Sequence, residues 1–216
     1  MSELPSPPAR ETETIELLSM AAQPRLLMVL LHDAGGTALD MLALGQRLGD
    51  AFAEAAVLIP EGLSGPARAQ DNPEASEALA ARVQTLAAFL QAQQQRLDVL
   101  QTDTALAGWG AGATLALALA HAHDGLVGRV LAFGGSYATW PGQAPQLTTL
   151  HLLHGARDPV EPLARVREGF ERLMALKADA TLDVAKSLGH ELHPALIDQA
   201  IKRLQTCVPL RFWKAL

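Results

Sequence analysis

The sequence predicts an α/β fold with a mostly parallel central sheet and helices on both faces of that sheet. Apolar runs of strand length alternate with helical patterns from one end of the chain to the other, which is the pattern of consecutive β–α–β units. Several runs are apolar without a break, as in strands covered on both faces. Because 216 residues with 49% apolar composition can bury a sizeable core, we expect one domain over residues 1–216.

The first half of the chain predicts three strands and two helices. Residues 1–10 are rich in proline and are expected to be loose. The strands are predicted at residues 11–18, 25–32 and 55–60. The first helix lies within 37–49, where apolar residues recur at helical spacing at Met41, Leu44 and Leu48. The second helix begins at Pro73, since proline is tolerated in a first turn, and its apolar face carries Leu79, Val83, Leu86, Leu90 and Leu97.

The second half of the chain continues the alternation. Four strands are predicted, at residues 104–109, 128–135, 147–155 and 180–186. One helix is predicted from Ala111 to about His123. Two further helices are marked by apolar stripes, one formed by Leu163, Val166, Phe170 and Leu173 and the other by Ile197, Ile201 and Leu204.

Composition and charge exclude several classes of function. A net charge of −6 argues against nucleic acid or an anionic membrane as the main partner. No apolar run approaches the roughly 20 residues that a membrane-spanning helix needs, and the N-terminus lacks the basic and apolar segments of a secretory signal. The single cysteine, Cys207, rules out an internal disulfide framework. We therefore expect a cytoplasmic protein.

Four polar loops follow four of the predicted strands. In parallel α/β sheets the chemistry collects at the carboxyl ends of the strands. The loops read LLHDAGGT at 30–37, GWGAG at 108–112, LLHGARDPVEP at 152–162 and SLGHELHP at 187–194. The second loop has both glycines of a G-x-S-x-G turn, at Gly108 and Gly112, but Gly110 occupies the position of the serine in that motif.

In this order, the four loops resemble those of α/β-hydrolases, and more closely those of the phospholipase/carboxylesterase family of small esterases and acyl-protein thioesterases. The resemblance runs from about Leu26 to the C-terminus and includes GGSYATWP at 134–141. It implies an α/β-hydrolase fold and acyl transfer from a small carboxylic ester or thioester to water. It implies no cofactor, and a homodimer is possible because dimers are common among such hydrolases.

The resemblance also assigns roles to five residues. His190 maps to the general base and Asp158 to the carboxylate that orients it. Gly110 occupies the nucleophile position. The backbone N–H groups of Ala111 and Ala34 map to the two oxyanion-hole donors. No metal ligand is implied.

Two residues depart from the family pattern. Glycine at 110 cannot form an acyl-enzyme, although it relieves the backbone strain of the turn. Asp33 replaces the glycine of the family's His-Gly pair. Its carboxylate either faces the site, where it would oppose developing negative charge, or faces outward or caps the following turn, as aspartate commonly does. We expect the outward orientation.

Three functions remain open on the sequence. The first is a carboxylic-ester hydrolase that is impaired or inactive because of Gly110. The second is a non-catalytic pseudo-hydrolase that holds an acyl or carboxylate ligand against the oxyanion donors. The third is a metal-assisted hydrolase. Its ligands would come from the histidines in or near the site loops, which are His32, His154, His190 and His193, although no compact metal-binding spacing is present. Ser136, Thr114 and Cys207 are weak candidates for another nucleophile.

Overall fold

Seven strands form one sheet in the computed structural model, which describes residues 13–17, 23–63 and 73–209. The strands are β1 (Thr14–Leu17), β2 (Leu26–Leu31), β3 (Ala55–Pro60), β4 (Thr104–Trp109), β5 (Arg129–Phe133), β6 (Thr149–Gly155) and β7 (Ala180–Ala185). Their order across the sheet is β1-β3-β2-β4-β5-β6-β7. The residues expected to be loose, 1–10, lie outside the described residues.

Every strand pair except one is parallel. β1 pairs antiparallel with β3 at one edge, and the remaining neighbours run in the same direction. In β3 and β6 all residues are buried, as expected of strands covered on both faces. The carboxyl ends of β2, β4, β6 and β7 therefore lie along the same edge, which brings the four predicted loops together.

Among the described residues, five α-helices cover the two faces of the sheet. They are α1 (Leu42–Ala51), α2 (Pro73–Leu97), α3 (Ala111–Ala122), α4 (Leu163–Ala175) and α5 (Pro194–Thr206). One apolar cluster joins α2, α3 and α4 to the sheet, and a second cluster joins α1 and α5 to the opposite face. The predicted fold class is confirmed. Within the described part of the chain, no helix has the length and hydropathy needed to cross a bilayer.

Several predicted boundaries differ from the observed ones by a few residues, and three of the differences have an identifiable structural cause. The first predicted helix is divided, because Asp40 N–H donates to the Thr37 carbonyl in a 3₁₀ turn at Ala38–Met41 before α1 begins. β5 ends at Phe133, before Gly134, whose φ of +57° leaves the extended region. β6 begins at Thr149, since the backbone N–H of Leu147 is held by the Asp124 carboxylate in a loop.

Candidate active site

A sharp turn joins β4 to α3 at Gly110. This glycine has φ +55° and ψ −114°, a conformation that side-chain-bearing residues adopt only under strain. The turn is compact because a Cβ on Gly108 would overlap the backbone of Gly112, and a Cβ on Gly112 would overlap the Leu31 carbonyl. The small residues at 108 and 112 thus bring the first N–H groups of α3 against the end of β2.

The loops after β6 and β7 bring together a carboxylate and an imidazole. His190 Nδ1 lies 2.7 Å from Asp158 Oδ2. The other oxygen of Asp158 accepts hydrogen bonds from the backbone N–H groups of Val160 and Glu161 at 2.8 and 2.9 Å. The Trp109 ring stacks on His190 with centroids 5.6 Å apart. Burial and these contacts fix the orientation of the pair.

Asp33 faces the site, so the expectation of an outward orientation is wrong. Its Oδ1 accepts hydrogen bonds from the backbone N–H groups of Ala34 and Ala111, both at 2.7 Å. Its Oδ2 lies 3.1 Å from His190 Nε2. Charge-assisted bonds of this kind are stronger than bonds between neutral groups, and together they explain why the carboxylate turns inward. Both predicted oxyanion donors already have an acceptor.

The hydrogen bonds determine the protonation state of His190. An ionised carboxylate can only accept, so both ring nitrogens must donate, which only the imidazolium form can do. The hydrogen bond to Asp33 is the largest influence on the pKa of His190; burial opposes it, Asp158 adds to it, and the pKa is raised to about 9. Burial alone would raise the pKa of Asp33, but the hydrogen bonds from His190, Ala111 and Ala34 outweigh it, so the pKa is lowered.

A small cavity opens between these groups. Its volume is about 10 Å³, roughly the space for a single water molecule. The lining residues are Asp33, Gly110, Ala111, Thr114, Gly134, Gly135, Val160, Glu161 and His190. His190 and Gly110 therefore share one cleft, as the sequence predicts. Four lining residues, Gly134, Gly135, Val160 and Glu161, lie in segments noted in the sequence but were not predicted as site residues.

The three alternative nucleophiles lie in unsuitable places. Ser136 is buried and its hydroxyl donates to Glu161. Thr114 is half-buried and lines the cavity, but its hydroxyl donates to the Gly110 carbonyl. Cys207 follows α5, and its backbone carbonyl accepts a hydrogen bond from the Arg129 side chain at the start of β5. It therefore lies at the amino ends of the parallel strands, and the site lies at their carboxyl ends.

The other histidines of the loops have local structural partners. His32 is buried with Nδ1 2.8 Å from the Asp33 carbonyl. His154 is buried with Nε2 2.9 Å from the Glu161 carbonyl, and burial lowers its pKa. His193 Nδ1 accepts the Ala195 N–H and caps α5. No group of three or more potential ligands suited to a metal occurs among residues 13–17, 23–63 and 73–209.

The order of the sheet, the sharp turn between β4 and α3 and the loops after β6 and β7 are those of the α/β-hydrolase fold. Comparison with known proteins agrees with this class. The chain belongs to the phospholipase/carboxylesterase family, whose model matches residues 64–208.

The chain is similar to proteins that are named as esterases. It is 31% identical to Esterase YpfH of Escherichia coli (strain K12) over 199 residues, which is 87% of this chain and 85% of that protein. Among solved structures it is similar to esterase PE8, with a TM-score of 0.78 and 23% identity over 92% of this chain and 100% of the other. The Bacillus cereus carboxylesterase gives a TM-score of 0.74 and 20% identity over 92% and 96% of the two chains. At these identities the two structures support the fold alone.

Proposed function

We propose that this chain is a carboxylic-ester hydrolase relative in which the serine route is closed, so that it turns over small esters and thioesters poorly or not at all. The observation that carries the proposal is the position of Asp33. Its carboxylate accepts the backbone N–H groups of Ala34 and Ala111, where the oxygen of a substrate carbonyl would have to bind.

Three requirements of ester hydrolysis are unmet at once. Gly110 offers no hydroxyl to attack the carbonyl carbon. His190 is an imidazolium at neutral pH, because its pKa is about 9, so it cannot accept a proton as a general base. The oxyanion donors are occupied, and a single donor of this kind is typically worth about 10²–10³-fold in rate. Loss of a nucleophile alone leaves roughly 10³–10⁴-fold catalysis over water, and that remainder depends on the donors that Asp33 covers here.

The rest of the machinery keeps its arrangement. Asp158 holds Nδ1 of His190, which is the role of the orienting carboxylate, and Nε2 points to the carboxylate of Asp33 beside Gly110. The changes at positions 33 and 110 therefore compensate each other. The side chain of Asp33 occupies the volume that a side chain at residue 110 would need. Reversing both changes should free the donors, return His190 to the neutral form and supply a nucleophile.

The two alternative functions have less support. A pseudo-hydrolase that binds a ligand carboxylate at Ala34 and Ala111 would have to expel Asp33 from both hydrogen bonds. In a metal-assisted hydrolase, His32 and His154 would have to leave the backbone carbonyls that they contact.

The test is hydrolysis of a short-chain p-nitrophenyl ester by four proteins: the native chain, Gly110→Ser, Asp33→Gly, and the double variant. We expect the native chain and both single variants to stay near background. The double variant should gain at least about 10²-fold in kcat/KM, and adding His190→Gln should abolish the gain. A native chain that already hydrolyses the ester at serine-esterase rates would contradict the proposal. A folded double variant without any gain would contradict it equally.

A further inference from the structure

We propose that the chain has a binding site for an unbranched, medium-chain monocarboxylate at the amino ends of β2, β4 and β5. The site is a cavity of about 390 Å³, a volume within the usual range of small-molecule pockets. Asp33 and His190 lie at the other end of the strands, after the carboxyl ends of β2 and β7. The cavity is therefore separate from the candidate active site and independent of the proposed function.

The wall of the cavity is largely apolar. The cavity lies between the residue that ends α1 and the last turn of α5, under the face of the sheet that these two helices cover. Its apolar side chains belong to the cluster on that face or pack against it; they include Leu26, Met28, Phe52, Ala105 and Leu204. An alkyl chain in the cavity would extend this cluster, and its removal from water would favour binding.

Arg129 places a guanidinium group at the same cavity. It is the first residue of β5 and is half-buried. Its Nη2 donates a hydrogen bond to the backbone carbonyl of Cys207 at 2.8 Å, which orients the group. A guanidinium can bind a carboxylate through two parallel N–H bonds, which are stronger than bonds between neutral groups. The combination of an apolar wall and this cation favours an amphipathic anion.

Asp103 limits the charge of the ligand, because it also lines the cavity. Asp103 is exposed and Arg129 is half-buried, so water screens the charge of the aspartate more effectively. One carboxylate can therefore bind at Arg129. A second carboxylate on the same ligand would meet either Asp103 or the apolar wall, and burial of an unpaired charge is costly. We expect the site to prefer a monocarboxylate to a dicarboxylate.

The volume of the cavity limits the length of the alkyl chain. At about 30 Å³ per water molecule, the cavity is equivalent to roughly a dozen waters. Octanoate fits within this volume, with its carboxylate at Arg129 and its chain along Met28 and Leu204. We therefore use octanoate as the probe, at concentrations below those at which it forms micelles.

The test is a titration of the full chain with octanoate, followed by NMR of the methionine methyl groups. Met28 lines the cavity, whereas Met174 is exposed on α4. We expect a saturable shift of the Met28 methyl resonance and no shift of Met174. Octanamide has a similar shape but no charge, so it should bind at least about 10-fold more weakly. Octanedioate should also bind more weakly than octanoate.

Two variants test the charge and the volume separately. Arg129→Gln should weaken octanoate binding at least about 10-fold and leave octanamide binding unchanged. Its matched control is Arg25→Gln, which removes an exposed arginine just before β2. Leu204→Trp keeps Arg129 but fills the cavity, so it should abolish binding. Gln205→Trp, at an exposed position of α5, should not.

Three results would overturn the inference. One is a Met28 methyl resonance that octanoate does not shift in the folded native chain. Another is equal affinity for octanoate and octanamide. The third comes from analytical ultracentrifugation, since a dimer of the native chain that Leu204→Trp dissociates would assign the cavity to a second copy of the chain. The ester proposal is unaffected by all three, because it depends on p-nitrophenyl ester hydrolysis by the Asp33→Gly/Gly110→Ser variant.

Discussion

Asp33 fills the volume that a side chain at residue 110 would need. A Cβ on Gly110 would overlap Cγ and both carboxylate oxygens of Asp33. The carboxylate can accept the N–H groups of Ala34 and Ala111 only because residue 110 has no side chain. The two departures from the family pattern are thus a single structural change, in which each substitution depends on the other.

The first prediction concerns the free energy of unfolding. Gly110→Ser alone should destabilise the chain by about 1–3 kcal/mol, because an overpacked buried position forces its neighbours to move. Added to Asp33→Gly, the same substitution should cost less, since the overlapping carboxylate is gone. Urea unfolding of the four proteins of the double-mutant cycle gives the coupling energy.

Gly49→Ser provides the control for this cycle. Gly49 lies in α1, and a Cβ there would meet no atom within 4 Å. Its cost should be small and unaffected by Asp33→Gly. Additive costs of Gly110→Ser and Asp33→Gly would refute the dependence between positions 33 and 110.

The second prediction concerns an active-site probe. A fluorophosphonate should leave the native chain unlabelled, because no serine hydroxyl faces His190 among the residues that the structure describes. The Asp33→Gly/Gly110→Ser variant should be labelled at residue 110, since Asp158 and His190 are already arranged to activate a hydroxyl there. Intact-protein and peptide mass spectrometry measure the outcome. Labelling of the native chain at Ser136 would reveal a nucleophile that the geometry does not support.

The sequence predicted the fold well because its signals are local and repeated. Continuous apolar runs identified the buried strands, and the strands at 55–60 and 104–109 have the predicted bounds. Helical periodicity identified the five helices. One boundary that differs depends on a distant residue, since the Asp124 carboxylate holds the backbone before β6.

The convergence of Asp158, His190 and the glycine turn was also predictable, since carboxyl ends of parallel strands meet at one edge. The orientation of Asp33 was not. It depends on two N–H donors and one imidazole, two of which lie 78 and 157 residues further along the chain. The sequence contains one indication of this orientation. Relative to the family pattern, Gly110 lacks a side chain and Asp33 has one in place of glycine. The sequence does not show that the two positions share one volume, so the two departures look independent. Cytoplasmic location and a homodimer stay predictions.

The third prediction concerns stability in acid. Burial is the main cause that lowers the pKa of His151 from 6.5 to about 4, and Arg129 and Arg203 add to it. The unfolded chain therefore binds a proton near pH 6.5 that the folded chain does not bind until about pH 4. Stability should fall as the pH decreases through this window, by a few kcal/mol at most. Urea unfolding at several pH values should show a shallower decline for His151→Gln.

His121 supplies the comparison for this experiment. It lies exposed in the last turn of α3, so His121→Gln is the matched variant that removes a surface imidazole and leaves the buried His151 in place. If His151→Gln declines in acid as steeply as the native chain, His151 does not cause the loss.

The fourth prediction concerns stability in alkali. A histidine whose pKa is raised by folding stabilises the protein fully below pH 6.5, and the contribution disappears as pH rises through about 9. Asp33→Asn removes the largest cause of the raised pKa. The native chain should therefore lose more stability than Asp33→Asn between pH 6.5 and 9, as measured by urea unfolding. Equal losses in the two proteins would argue against an ion pair between Asp33 and His190.

The most direct test of the account is an NMR titration of the His190 ring in the native chain and in Asp33→Asn. The hydrogen bond between Asp33 and His190 predicts that His190 titrates near pH 9 in the native chain, with both ring nitrogens protonated at neutral pH. In Asp33→Asn the pKa should fall towards 6.5. A native His190 that titrates near 6.5, unchanged by Asp33→Asn, would show that Asp33 does not hold the imidazole and would contradict the account.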